Sequence, residues 1–447
     1  MTTQRDSPKM DAKTLAKQIF LAGVESVMPD KLIREQVMIK DSTLFISSHR
    51  YPLGTINRIF VIGAGKASAL MAREIENILG DRIAEGHVVV KYGHACSLKN
   101  ISLTQAGHPV PDNNGNLATQ KILAIARKAN ANDLVICLIS GGGSALLADF
   151  PENSTLSDMI ITNDLLLKSG ADIKEINAVR RHLSQVKGGQ LAKAAHPAFL
   201  VSLILSDVIG DPLDVIASGP TVPDPTTFKD AIGILKKYDL FAKIPLCLVT
   251  HLKNGVEGLS PETPKPGDSV FNNTNNIVIG NNKVALHAAA KKAIELGLPP
   301  LLITAELEGE TIIIAKQLFT TALQFQSDDT HTKPCCLLFG GETTLNVSGS
   351  GKGGRNQHLA LYAASLLKNH HGITLLSAGT DGNDGPTSVA GAVVNSNTSE
   401  YALSTGMDIQ NYLNNFDSFH FFQRAAGHIL TGPTLTNVMD LIVVIIE

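Results

Sequence analysis

Tryptophan is absent from the 447 residues, and aromatic side chains make up only 5% of them, which leaves few platforms for stacking on nucleic-acid bases. Charge of one sign is missing too. Thirty-eight Lys and Arg against 41 Asp and Glu give a formal net charge of −3, and no basic stripe interleaves with aromatics, so no nucleic-acid partner is expected. Cysteine is scarce: Cys96, Cys137, Cys247, Cys335 and Cys336 are odd in number and nowhere spaced CxxC. They read as free thiols in a reducing compartment, three of them inside apolar runs. Apolar runs such as FLVSLIL and LIVVII fall far short of the roughly 20 residues needed to span a bilayer. The first 20 residues hold no uninterrupted apolar stretch of the kind a secretory signal carries. A soluble, cytoplasmic protein with no membrane partner is expected.

What is present is glycine, 38 residues of it, beside a 44% hydrophobic and 18% charged composition. A unit recurs: a short Val/Ile/Leu run, a Gly- or Asp-containing turn, then a helical stretch. The runs are RIFVIGAG, HVVVKYG, DLVICLISGGG, FLVSLILSD, NIVIGNN, PLLITAEL, CCLLFGGE, GITLLSAGTDG and DLIVVII. Continuous rather than alternating apolar runs are the mark of strands buried on both faces. With KASALMAREIENIL and KVALHAAAKKAIELG between them, they predict βαβ units and an α/β architecture with mostly parallel sheets. The length predicts two or three domains. Gly- and Pro-dense stretches around 208–230 and 253–268 put the main boundary near 230, giving domains 1–230 and 231–447, and the first 40 residues read as a helical arm.

Five runs end in polar, glycine-rich segments: GAGKAS, SGGGSA, LSDVIGD, GGE and AGTDGNDG. Ligands of open α/β sheets sit beyond the carboxyl ends of the strands, where helix N-termini also point. Lys66, Ser144, Asp207, Asp211, Glu342, Asp381 and Asp384 are therefore expected to build an anion-and-metal site. GAGKAS fails as a Walker A loop, because Phe60 stands where the first Gly belongs and Ala67 where Ser or Thr is needed. It fails as a dinucleotide fingerprint, with Ser68 in place of the third Gly. What remains is close backbone approach at Gly63 and Gly65, with Lys66 at a helix N-terminus. Ser140, Gly141, Gly142, Gly143 and Ser144 read as an anion nest of successive N–H groups, and Leu146 rules out a nucleophile elbow on Ser144. Gly340, Gly341 and Glu342 read as a further close-approach turn at a strand end.

The loop GKGGRNQ places Arg355 just before a helical run, where a guanidinium can grip a carboxylate or phosphate with two hydrogen bonds. Asp207, Glu342, Asp381 and Asp384 are hard oxygen donors suited to Mg²⁺. Among four histidines near Gly or Arg motifs, none with zinc spacing, His108 in GHPVPD is the leading candidate for a substrate contact, although an interior histidine bonded to backbone is the commoner role for such a residue. Lys66, Arg180, Arg181, Lys187 and Arg355 offer charge to an acidic substrate. An anion cradle, a divalent ion, a cation on the moving group and a carboxylate near the attacking hydroxyl are the parts that phosphoryl transfer needs. Each segment alone is equally compatible with a structural turn.

The segments GAGKAS, GHPVPD, SGGGSALL, NAVRRHLSQVKGGQLA, LSDVIGDPLDVIASGPTVPD, GGETTLNVSGSGKGGRNQHLAL, LLSAGTDGNDGPTSVAGA and TGPTLTNVMDL together resemble the glycerate 2-kinase family, whose C-terminal part is called the MOFRL domain. The resemblance runs from about residue 10 to 445. It implies transfer of the ATP γ-phosphoryl to the 2-hydroxyl of D-glycerate with Mg²⁺, giving 2-phosphoglycerate. It also implies a Rossmann-like N-terminal domain, a smaller α/β C-terminal domain and an active site in the cleft between them. Lys66 and Arg355 fall on the family's catalytic Lys and Arg. Asp207, Glu342 and Asp381 match acidic positions, with Asp207 or Asp381 expected to hold Mg²⁺, Asp207 to act in catalysis, and residues 140–144 to cradle phosphate. Ile209 and Pro212 depart from the usual D-V-P-G-D-D turn, and Leu435 replaces a frequent Gly. Two other readings stand beside this one: an NAD(P)H-dependent hydroxypyruvate reductase, a label relatives of this family often carry, and a non-catalytic sensor of small anions. Assembly into a homo-oligomer is compatible with the sequence, which does not specify it.

Overall fold

A computed structural model describes residues 11–447, which divide into two compact units: residues 29–279, and the residues before them together with 280–447. The described chain opens with α1 (Ala12–Ser26), capped by the Asp11 carboxylate accepting from the Thr14 N–H at 3.1 Å. This helix belongs to the second unit, where it packs on the first helix after residue 280.

The unit of residues 29–279 begins with α2 (Pro29–Gln36) and an antiparallel meander of β1 (Val37–Lys40), β2 (Thr43–Ile46) and β3 (His49–Pro52). The expected helical arm thus stops at residue 36. Its main sheet follows: β4 (Ile59–Ala64), α3 (Ser68–Leu79), β5 (Ile83–Lys91), β6 (Ser102–Ala106), α4 (Asn113–Arg127) and β7 (Leu134–Ile139). Then come the short α5 (Gly143–Leu146), α6 (Leu156–Lys168), α7 (Ile173–His182), α8 (Gln190–Ala195), β8 (Phe199–Leu205), α9 (Phe228–Lys237), α10 (Leu246–Val256) and β9 (Thr274–Gly280). The strand order is β6-β5-β4-β7-β8-β9, with β5–β6, β4–β5, β4–β7 and β7–β8 all parallel. Phe60, Ile62, Val135, Cys137 and Ile139 alternate into a core closed by Ala118, Ile122 and Ala126 of α4. The boundary expected near 230 falls inside this unit. Leu235 of α9 and Leu248 and Leu252 of α10 share a second apolar cluster with Leu166 of α6 and Val179 of α7, so the Gly/Pro-dense stretches are loops within one body.

The other unit continues with α11 (Asn282–Glu295), β10 (Pro300–Glu310), α12 (Thr311–Ser327), β11 (Cys335–Thr344), α13 (Arg355–Leu366), β12 (Ile373–Gly379) and β13 (Gly391–Asn395). It ends with α14 (Ser396–Ser404), α15 (Ile409–Asn414), α16 (Ser418–Ala425), β14 (His428–Ile429) and β15 (Asp440–Ile446). Its sheet runs β10-β11-β15-β12-β13-β14, and only β10–β11 is parallel. β15 lies antiparallel between β11 and β12. The expectation of mostly parallel sheets therefore holds for one sheet and not the other: an unbroken apolar run carries no information on strand direction. All five cysteines are free, with Cys137, Cys335 and Cys336 buried, and no helix among the described residues is long and apolar enough to cross a membrane.

Candidate active site

In the unit of residues 29–279 the chain moves outward both ways from the β4–β7 pair, to β5 and β6 on one side and to β8 and β9 on the other. Such a switch point opens a crevice at the carboxyl ends of the strands. The two turns flanking it are bound together. Lys66 N–H donates to the Gly141 carbonyl at 2.9 Å, Ala67 N–H donates to Ser140 Oγ at 3.0 Å, and the hydroxyls of Ser68 and Ser140 are 3.2 Å apart. Gly142 takes φ +84°, where a side chain is strained; a Cβ there would lie 2.9 Å from the His108 ring and 3.6 Å from Lys66 Cε. A Cβ on Gly141 would overlap the Asp207 carboxylate. Lys66, His108 and Asp207, which follow β4, β6 and β8, thus converge on two adjacent glycines.

Two cations and a histidine set the electrostatics of this cluster beside the Asp207 carboxylate. Burial, followed by the nearby charges of Lys66 and Lys91, pushes His108 down to about 4. Its imidazole is neutral at pH 7, and its buried Nδ1 has no hydrogen-bond partner among the described residues.

Other expected members are placed differently. Gly63 lies within β4, paired with Val88 and Leu138, and Gly65 donates its N–H to Val89 at 3.1 Å. The Ser140 hydroxyl is occupied by the neighbouring turn, and Ser144 Oγ lies 2.7 Å from Ser218 Oγ, which in turn donates to Asn177 at 3.0 Å. Both serine hydroxyls are thus committed to protein partners, and the turn presents backbone at Gly141 and Gly142. Arg180 is half-buried on Asn163, donating through Nε at 2.8 Å. Lys187 is buried and committed, to the Leu147 carbonyl at 2.6 Å and the Asp149 carboxylate at 3.1 Å; the structure makes it a structural ion pair, not a substrate contact. Arg181 is likewise spent on Asp214 and Asp224.

In the unit that holds β11 and β15, Arg355 is the first residue of α13. It grips Asp440 through Nε at 2.6 Å and Nη2 at 2.9 Å, and its Nη1 meets Glu342 at 2.6 Å. Burial opposes the guanidinium charge, but Asp440, Glu342 and Asp384 together hold its pKa above the ordinary value. Asp384, expected as a metal donor, is buried instead against the start of α13, where it accepts from the N–H groups of Asn356 at 3.0 Å and Gln357 at 2.8 Å. Gly340 and Gly341 do not form a turn: they sit inside β11 opposite Leu441 and Asp440, their faces closed by Asn282 and Leu307. Glu342 is also a strand residue, its carboxylate turned to Arg355. Asp381 accepts from Asn383 N–H within its own turn at 3.0 Å. A Cβ on Gly379 would stand 3.3 Å from its Oδ1 and 3.4 Å from that of Asp440, so these two carboxylates face one small gap.

With this geometry fixed, comparison with known proteins is decisive. Residues 15–253 match a domain family of unknown function, DUF4147, and residues 335–440 match the MOFRL family. The chain is 39% identical to the D-glycerate 2-kinase of Thermotoga maritima, over 96% of its own length and 97% of that protein. The chain belongs to the glycerate kinase family. A crystal structure of glycerate kinase from T. maritima superposes with a TM-score of 0.87 at 39% identity, covering 97% of this chain and 99% of that one. A protein of Agrobacterium vitis provisionally named hydroxypyruvate reductase is 40% identical over 98% of this chain and 95% of its own length.

For a member of the glycerate kinase family, the residue that sequence reasoning overlooked is Asp440. A signal for it exists, since it is the lone acid at the head of the apolar run DLIVVII, but the sequence does not reveal that this strand lies in mid-sheet beside Arg355. Asn177 and Ser218, which brace Ser144, carry no comparable signal.

Proposed function

We propose that the chain phosphorylates D-glycerate at its 2-hydroxyl with ATP, releasing 2-phosphoglycerate and ADP. The observation that carries the reading is the convergence of Lys66, a neutral His108 and Asp207 on the Gly141–Gly142 backbone, in a chain that aligns with a D-glycerate 2-kinase over nearly its full length. Phosphoryl transfer needs charge stabilisation and positioning more than covalent chemistry. Lys66 can neutralise phosphate oxygens. The neutral His108 can hydrogen-bond a substrate hydroxyl without adding charge. Asp207, the carboxylate of this cluster, would accept the proton of that hydroxyl.

Mg²⁺ is compatible with the donors present. It takes one or two protein carboxylates and completes its shell with phosphate oxygens and water. Asp207 in one unit, or alternatively Asp381 with its gap above Gly379 in the other, would supply a hard oxygen of that kind. Among the described residues no group of three or more His, Cys, Asp or Glu gathers as a metal site, so neither carboxylate belongs to an all-protein cage. Bound there, the ion would neutralise the charge of the phosphate chain.

The reductase reading is favoured by the name of the A. vitis relative. Against it, the turn after β4 has Ser68 at the third glycine position, and β5 ends at Lys91 with no acid to hold a ribose. A coupled assay of ADP release with ATP, Mg²⁺ and D-glycerate, run beside NADH oxidation with hydroxypyruvate, separates the two. Expected is glycerate-dependent ADP with a 2-phospho product, reduced by roughly 10²–10³ in Lys66→Ala, as for loss of one electrostatic stabiliser. NADH oxidation without ADP release would overturn the proposal.

A further inference from the structure

The three donor nitrogens of Arg355 are not equivalent. Nε and Nη2 both bind Asp440, a side chain only 5% exposed, whereas Nη1 binds Glu342, which is 44% exposed. The buried pair is braced from behind. Asp440 Oδ1 also accepts from Asn356 Nδ2 at 2.9 Å, and Asn356 is itself held by Ser377 Oγ at 2.6 Å. The Asp440 carbonyl accepts from Asn282 Nδ2 at 3.0 Å. The Arg355 backbone starts a helix whose next two N–H groups end on Asp384. One edge of the guanidinium is thereby locked, and the other rests on an acid that solvent reaches.

We propose that Asp440 is a positioning residue for Arg355, and that Glu342 is the resting counter-ion on Nη1 which an anionic oxygen of a substrate displaces. The inference rests on the reading of Arg355 as a group that touches substrate. Two parallel charge-assisted hydrogen bonds fix a guanidinium in orientation as well as place. An exposed ion pair, by contrast, is weak because water screens and competes for both partners. A phosphate or carboxylate oxygen can therefore replace Glu342 without unpairing any buried charge. While no substrate is bound, Glu342 keeps the outward edge of Arg355 neutralised.

The test compares the full-length chain with Asp440→Asn, Asp440→Glu, Glu342→Gln and Arg355→Ala. It reads kcat and KM for each substrate, the thermal midpoint, and ATP binding by calorimetry without glycerate. Asp440→Asn is expected to lower kcat about a hundredfold, the scale of a misplaced catalytic group. KM for both substrates should stay within about threefold, and Asp440→Glu should recover part of the rate. Glu342→Gln is expected to bind the anionic ligand that uses Arg355 about two- to fivefold more tightly, with its thermal midpoint unchanged. Asp440→Asn with wild-type kcat, or with a loss that only follows its loss of folded protein, overturns the positioning role. Unchanged or weaker affinity for both ATP and glycerate in Glu342→Gln overturns the counter-ion role. If the wild-type chain gives no glycerate-dependent ADP, the proposed reaction has failed. The counter-ion role is then still decided by ATP binding, which should tighten in Glu342→Gln and weaken in Arg355→Ala.

Discussion

Leu435 holds φ +62°, a region that costs an L side chain roughly 1–2 kcal/mol. Its neighbours fix it there: the Thr434 hydroxyl donates to the Thr380 carbonyl and the Thr436 hydroxyl to the Val27 carbonyl, each at 2.6 Å. Leu435→Gly is expected to raise the stability by up to about 1 kcal/mol after the extra chain entropy of glycine is subtracted, and the thermal midpoint with it. A lowered midpoint in a thermal melt would mean that the leucine side chain contributes more than its backbone costs. Gly141 presents the opposite case, a position where the smallest side chain is already too large. Gly141→Ala must push Asp207 aside, so kcat/KM for glycerate-dependent ADP release should fall more than about tenfold while circular dichroism stays native. Unimpaired turnover would remove Asp207 from the reaction.

At the scale of elements, α13 carries its own pH sensitivity. Burial drives the Asp384 carboxyl up to about 6 from its ordinary 3.8, against the opposing pull of the Gln357 and Asn356 N–H groups, and Asp440 adds to the rise. Between those two values the folded chain holds a proton that the unfolded chain has released. Stability from this group is therefore greatest at low pH and declines as pH rises through that window. Asp384→Asn should remove that slope, so the wild-type advantage over the variant shrinks between about pH 4 and pH 6 in urea melts. A constant difference would show that Asp384 does not titrate there. Elements also mark where reading the sequence succeeds. All nine apolar runs became strands, β4, β5, β7 to β12 and β15; double-sided burial explains the composition of most of them, but β9 and β10 are apolar while only partly buried. The β1–β3 meander and the polar β6 were not legible, since their strands are short and only partly buried. The antiparallel placement of β15 was hidden for a different reason: direction depends on connections, not on composition. That same gap concealed Asp440, whereas Lys66 and Asp207 stood out because each follows a readable strand, and His108 stood out only through its GHPVPD motif.

For the whole molecule, the division into residues 29–279 and the remainder makes a claim about fragments. A 29–279 fragment retains β9 and the apolar cluster that α9 and α10 form with α6 and α7, and is expected to unfold cooperatively in denaturant. A 29–230 fragment lacks most of α9 and all of α10 and β9, leaving Leu166 and Val179 uncovered, and is expected to aggregate or melt without a sharp transition. Equal behaviour of the two would restore the boundary near 230. The same division bears on how the polypeptide is made. Because β15 lies between β11 and β12, the ribosome must deliver residues 440–446 before that sheet can close its middle. Until then the facing edges of β11 and β12 have no strand between them, and α1, synthesised hundreds of residues earlier, lacks part of the surface it packs on. Exposed strand edges of this kind invite pairing with other chains. The interval between the emergence of β11 and that of β15 is thus when a nascent chain would most need a chaperone.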